Sequence, residues 1–376
     1  MSAAPGTPNA LGGRGLGTPP SAPDVVVARR DPALSARVLG ARPLRYAAGA
    51  DPAQDRPAYV RSGSGLAWVP SPAGPRLAVV QDDAHFLALV DPATGLADAV
   101  PLPRGSDGRR LFGARLGNKL QKLDLEACLT VSDPADGTAL LLAFGSGATP
   151  ERQRVAVVRG LAAGTASAEV TVADASALYL ALLVQPDFAG AELNVEGAAC
   201  VATPAGPVVR LFARGNGLGN ALAGAADAAA GAAPANATSA TCDLPLDALL
   251  AHLLGTAPAP PPARVTRYDL GTLGGERLGF TDATPLGGGV LYLAAAERSA
   301  DVLDDGPVTG SAVGRIAADG SARWAPLTGP AGEPFPRKAE GVAPAGPGRL
   351  WVVLDEDDPD APALLCDVAL GGPGWR

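Results

Sequence analysis

Histidine and aromatic residues are scarce in this chain. Its 376 residues include two histidines, His85 and His252, and Phe, Trp and Tyr together make up 4%. A zinc or iron centre built on imidazoles is therefore excluded, because those metals favour nitrogen ligands. The core must instead be assembled from Ala, Val and Leu, within an apolar content of 47%. The four cysteines, Cys128, Cys200, Cys242 and Cys366, show no CxxC spacing, and three of them sit inside apolar runs, which reads as buried free thiols. No basic block occurs and the net charge is −8, which argues against a nucleic-acid partner. Uninterrupted apolar runs stay well short of the ~18 residues needed to span a bilayer. The opening MSAAPGTPNALGGRGLGTPPSAP has no signal-peptide core, so the expectation is a soluble cytoplasmic monomer that does not engage a membrane. GxSxG, HExxH and Walker patterns are missing too, and GNGLGN resembles a phosphate loop only in composition.

Turn formers are plentiful. The chain has 48 Gly and 37 Pro, aperiodic and interleaved with apolar runs, which indicates many turns, not collagen or disorder. A short motif recurs as SGLAWV from Ser64, EACLTV from Glu126, EGAACV from Glu196, DATPLG from Asp282 and EGVAPA from Glu340. The spacings are 62, 70, 86 and 58 residues, and the longest contains an Ala-rich insert at 219–240. A period recurring five times is a repeat architecture. Short apolar runs bounded by Gly, Pro and Asp follow each motif, four per unit until the last, where three remain.

Four strands per unit around a ring is the β-propeller pattern. The expected fold is all-β, with five blades favoured and six the alternative if the long intervals hide another blade. The N-terminal segment Leu34 to Tyr46 would supply the missing strand and close the ring. One propeller domain is expected over 23–376, after a flexible tail at 1–22 and with a mobile insert at 219–240. Two segments read as short peripheral helices, Asp174 to Val184 and Pro245 to Gly255.

The first strand of each blade lines the central channel, so equivalent residues fall on one ring. Glu126, Glu196, Asp282 and Glu340 would converge there. Four ionised carboxylates need a cation or raised pKa values, and Ca²⁺ accepts such oxygen ligands. The alternative is an ion-pair ring with nearby Lys122 and Lys338. Polar loops after each second strand return to the same face. They carry Asp82 and Asp355 as candidate catalytic bases, and Arg152, Arg214 and Arg298 as candidate binders of an anionic small molecule. His85 is a candidate base or a loop-tip surface histidine.

The stretches VEGAAC, GFTDATPL, KAEGVAP and GRLWVVLDEDDPD resemble the phytase-like (esterase-like phytase) β-propeller family and related uncharacterised bacterial propeller proteins, over about residues 60–370. The resemblance implies a propeller fold. Only SDPADG and DEDDPDAP approach the acidic runs of calcium-dependent propeller phytases. The expected function is metal-assisted hydrolysis of an ester, lactone or phosphoester; the alternative is a non-catalytic binding or scaffold propeller.

Overall fold

Apolar runs of five to nine residues, cut by Gly, Pro and Asp, pair into antiparallel meanders. The computed structural model describes residue 1 and residues 25–190, 192–215, 239–298 and 306–375. The N-terminal segment supplies β1 (Val25–Val27), β2 (Arg29–Arg30), β3 (Ser35–Pro43) and β4 (Arg45–Tyr46). The first meander is β5 (Gly63–Val69), β6 (Arg76–Gln81), β7 (Phe86–Val90) and β8 (Leu96–Pro101). The second is β9 (Leu125–Ser132), β10 (Ala139–Gly145), β11 (Arg154–Arg159) and β12 (Glu169–Asp174). The third is β13 (Val195–Thr203), β14 (Gly206–Ala213), β15 (Ser239–Pro245) and β16 (Arg264–Asp269). After β17 (Thr272–Leu273) comes the fourth: β18 (Glu276–Leu286), β19 (Gly289–Glu297), β20 (Val308–Ile316) and β21 (Ala322–Thr328). The last has three consecutive strands, β22 (Lys338–Gly346), β23 (Arg349–Asp355) and β24 (Leu364–Gly371), and β3 pairs antiparallel with β24 in the fourth position.

This arrangement is a β-propeller. The inner strands adjoin in sequence, β5 beside β9, β9 beside β13, β13 beside β18, β18 beside β22 and β22 beside β5. Hydrophobic clusters fill the spaces between neighbouring sheets. Val80 and Leu87 meet Leu141 and Val158, Leu142 and Val157 meet Leu211, and Phe212 meets Phe280 and Tyr292. Leu293 meets Val352, and Val353 meets Leu66 and Val79. Ala, Val and Leu dominate, as the scarcity of aromatics requires.

The N-terminal segment does more than supply one strand. It runs along the outside, where β1 pairs parallel with β16, β2 with β21 and β4 with β8, while β3 pairs with β24. Outer strands would otherwise expose unpaired backbone groups, and the strap covers four such edges.

The helices lie at the periphery. α1 (Ser176–Leu183) and the one-turn α2 (Pro186–Ala189) bury Leu178, Tyr179, Leu182 and Phe188, and α3 (Leu246–Leu253) packs on β14 and β15. Asp174 Oδ1 accepts from the Ser176 N–H at 2.9 Å, which satisfies one of the open amides at the start of α1. The expected tail at 1–22 lies outside the described residues apart from Met1, as does 219–238 of the Ala-rich insert. Ser239 and Ala240, assigned to that insert from sequence, instead open β15. Among the described residues no helix is long and apolar enough to cross a membrane.

Candidate functional site

Each inner strand carries one extra residue near its start. Pairing slips past Ser64 in β5, Glu126 in β9, Glu196 in β13, Thr281 in β18 and Glu340 in β22. A bulge of this kind re-aims a side chain out of the ladder, here at the same level of all five strands. The sequence alignment placed Asp282 on this ring. The register corrects that by one residue: Thr281 holds the ring position, and Asp282 aligns with Gly65, Ala127, Gly197 and Gly341. Two ring residues stitch neighbouring strands, as the Ser64 hydroxyl donates to Leu125 O and that of Thr281 to Ala339 O.

Asp282 fills the waist of the channel. It is fully buried, and its Oδ2 accepts from the Val342 amide at 2.7 Å. Burial raises its carboxyl well above the usual range, although the Val342, Ala283 and Leu66 amides oppose that shift. The glycines beside it are forced. A Cβ on Gly197 would lie 3.0 Å from the Asp282 backbone, and one on Gly341 would lie 2.8 Å from that of Gly65. Asp282 is thus a structural plug on backbone amides, not a member of a carboxylate ring.

The glutamates are divided between two charge networks. Glu196 accepts from Asn194 Nδ2 at 2.5 Å and pairs with Arg214 at 3.4 Å; Arg214 also clamps Glu297. Glu340 pairs with Lys338 Nζ at 3.0 Å, and the same ammonium lies 3.8 Å from Glu297. Burial pushes both carboxyls up, against the pull of Arg214 and Lys338. Across the channel, Glu126 joins Asp82 and Asp124 in a triad whose ligand atoms lie within 4.8 Å of one another. Burial, Asp124, Asp82 and Glu196 together raise Glu126 well above its ordinary value. Among the described residues this is the group of acids close enough to share a metal, so the expected set of Glu126, Glu196, Asp282 and Glu340 is not assembled.

The triad suits a hard cation by donor type, but it already holds an ammonium. Lys122 Nζ stands 2.7 Å from Asp82 and 2.6 Å from Asp124, and Arg152 Nη1 is 2.8 Å from Asp124. Burial works against the charge of Lys122, yet Asp124 and Asp82 hold its pKa well above normal. Arg152 and Arg214, expected to bind substrate, are buried inside these networks. Arg298 is exposed and paired with Glu276 at 2.9 Å. His85 is no loop-tip residue. It is 3% exposed, with Nδ1 donating to Pro103 O at 2.8 Å and Nε2 accepting from the Leu123 amide at 3.0 Å. Burial lowers its pKa to about 4, and with both nitrogens engaged it is a structural residue.

The two candidate catalytic acids do come together. Asp82 and Asp355 line a cavity of about 440 Å³ at the mouth of the channel, with Arg61, Asp83, Phe112 and Lys122. Register explains the meeting, because Asp355 lies opposite Lys338 at the mouth end of β22, and Gln81, just before Asp82, lies opposite Gly63 at the same end of β5. Burial raises Asp355 well above the carboxylate range, and Asp82 and Asp357 add to it. Asp83 is raised to about 7 by burial and Asp82, although Arg61 is bonded to it. Asp82 Oδ2 receives Lys122, while Oδ1 is enclosed and has no hydrogen-bond partner among the described residues.

Backbone strain gathers at the same end. Ser62, Asp124 and Asp357 hold left-handed φ angles of 34°, 55° and 51°. Such conformations are costly for residues other than glycine and cluster at functional sites. Sequence reading missed Asp83 and Asp124 as members of the site. A signal for Asp124 was present: in KLDLE, Lys122, Asp124 and Glu126 alternate, as do Asn194 and Glu196 in NVE and Lys338 and Glu340 in KAE. Period-two spacing puts such residues on one side of a strand.

Residues 59–370 match the family of unknown function DUF6929. The chain belongs to that family. The match agrees with an uncharacterised propeller family and gives no support to the phytase-like assignment. No curated protein matches the chain. Among solved structures, the PQQ-bound aldose sugar dehydrogenase of Streptomyces coelicolor is 13% identical, covering 90% of this chain and 99% of its own, with a TM-score of 0.35. Bacillus subtilis arabinanase Arb43A is 10% identical over 84% of this chain and 95% of its own, with a TM-score of 0.40. A calcium structure of the Trichoderma reesei carbohydrate-active enzyme of family AA12 is 9% identical over 92% and 96%, with a TM-score of 0.33. Similarity at that level leaves the site to be read from its own residues.

Proposed function

We propose that this DUF6929 protein is a five-bladed propeller, closed by β3 in the last blade, whose charged mouth hydrolyses an ester, lactone or phosphoester. The observation that carries this reading is the pairing of two unlike carboxyls in one cavity. Burial and Asp82 raise the carboxyl of Asp355 well above its ordinary value, while Asp82 is ion-paired to Lys122 and its Oδ1 accepts no hydrogen bond among the described residues. Neighbouring carboxyls in unlike surroundings, one buried and one ion-paired, are a common basis of acid–base assignments. In this mechanism Asp82 takes a proton from the attacking water and Asp355 donates one to the leaving oxygen. Lys122 and Arg61 stabilise the negative charge that develops between them. A Ca²⁺ on Asp82, Asp124 and Glu126 would add polarisation of the substrate oxygen, and it would have to displace Lys122.

One observation favours a second reading. Lys122 sits where a cation would sit, so the networks can act as a lock between blades around a non-catalytic binding funnel. Turnover of ester, lactone and phosphomonoester panels, with elemental analysis of the purified protein, separates the two. The hydrolase reading expects turnover that falls at least 100-fold in Asp355→Asn and Asp82→Asn with melting temperature little changed. Bound calcium, lost on chelation, would support the metal-assisted form. No turnover on any panel, with both variants destabilised, would leave the lock.

A further inference from the structure

A second charged region lies on the outside of the propeller, far in sequence from the acids of the mouth, and it has the opposite sign. Residues 25–46 contain Arg29, Arg30, Arg37, Arg42 and Arg45 against one acid, Asp31, in a chain of net charge −8. Where this strap crosses the fourth blade, arginines meet across three strands. Arg29 of β2 is the register partner of Arg323 in β21, and Arg323 is the register partner of Arg315 in β20. Register partners project from the same face of a sheet, so the three guanidinium groups form one row. Like charges placed directly across strands are destabilising.

Among the described residues, Asp31 reaches Arg323 at 3.4 Å, and Asp319, which is bonded to Ser321, also feels the charge of Arg323. Arg315 is held by the carbonyls of Gly287 and Gly374, at 3.2 Å each. Arg29 is exposed and has no hydrogen bond or ion pair among the described residues. Arg30 lies 5.9 Å over the Trp324 ring. Arg29, Arg30 and Arg323 line a cleft of about 580 Å³ between the strap and β21, with Asp31 and Ser321 at its edge.

From this row and cleft we infer a binding site for a small polyvalent oxyanion, bearing phosphate or carboxylate groups, on the outer rim of the fourth blade. Guanidinium groups bind such oxygens through paired, charge-assisted hydrogen bonds. An anion seated between Arg29 and Arg323 would relieve their repulsion and cement the strap to β21. Binding would thereby strengthen the attachment of the N-terminal segment, a role independent of the chemistry at the mouth.

The test is calorimetric titration of the full chain with pyrophosphate, and separately with citrate, at constant ionic strength in chloride buffer. Saturable binding is expected, weakened at least tenfold in Arg29→Gln and in Arg323→Gln, and the preferred anion tells phosphate from carboxylate. Melting curves supply an independent sign. Arg29→Gln should melt at the same or a higher temperature than the parent in chloride alone, because a repulsion is removed. Pyrophosphate should raise the melting temperature of the parent but not of the variant. Absence of saturable binding to either anion would overturn the inference. So would binding that survives Arg29→Gln unchanged.

Discussion

The two ends of the central channel are built from the same five strands and share almost no chemistry. At the mouth, bulged residues, the entries to inner strands and the loops after second strands bring in Asp82, Asp124, Glu126, Glu196 and Glu340 with Lys122, Arg152, Arg214 and Lys338. Beyond the Asp282 waist, the same strands line a cavity of about 290 Å³ with Leu66, Cys128, Cys200, Ala283 and Pro344. The polar groups there are spent internally: Trp68 Nε1 donates to Pro344 O and Thr130 Oγ1 to Trp68 O, at 2.7 Å each. Left-handed residues other than glycine occur at the mouth, and none of the described ones lies in the far cavity. The contrast teaches that a bulged residue near the mouth end of each strand separates a charged end from an apolar one. Before the waist each strand turns a polar residue inward; past it small apolar side chains pack, and only β22 slips again, between Pro344 and Gly346.

If that contrast is real, perturbations should hurt unequally. The largest loss is expected from Lys122→Met. It strips the buried Asp124 and the half-buried Asp82 of their ammonium, which should cost about 3–5 kcal/mol in urea unfolding; a loss under about 1 kcal/mol would mean that the lock is unimportant. Acid should act through the mouth as well. The pKa of His85 falls from 6.5 unfolded to about 4 folded, so its contribution is complete above pH 6.5 and lost as pH falls through 4. That difference amounts to about 3 kcal/mol, and His85→Asn should flatten this limb of the stability profile. Asp83 works in the opposite sense: raised to about 7, it contributes most at low pH and loses that contribution as pH rises through 7. Asp83→Asn should therefore flatten the rise-side loss alone.

At the waist, Gly341→Ala should destabilise by about 1–3 kcal/mol through overpacking, since its Cβ would meet Gly65 at 2.8 Å. The smallest effect belongs to the far end. Cys200→Ala removes one partly buried sulfur and should cost under about 1 kcal/mol, with no change in pH profile or turnover. A pH-dependent Cys200→Ala phenotype would break the comparison.

The site was partly legible. Asp82 and Asp355 fall on one face because hairpin length returns each second strand to the side where the first began, and that follows from counting residues. Asp282 was misplaced because DAT and EGA look alike as strings, whereas a bulge is defined only by which residue loses its partner. Arg152 and Arg214 read as free loop cations because sequence shows their neighbours in the chain and not the acids that folding puts against them.

What the sequence determined by itself is the repeat: runs of Ala, Val and Leu of strand length, cut by Gly and Pro at intervals that suit four-stranded units. Those are local properties, fixed by backbone sterics and the period-two burial of a strand. It also determined that the site would be carboxylate-rich and poor in imidazole. Only the tertiary structure decided how those charges are shared. Lys122 reaches Asp82 across 40 residues, and Arg214 reaches Glu297 across 83. The N-terminal strap lies Arg29 beside Arg323 through a pairing that no local pattern announces. Charge compensation depends on distance in space and on exclusion of water, and both are set only when the sheets have packed.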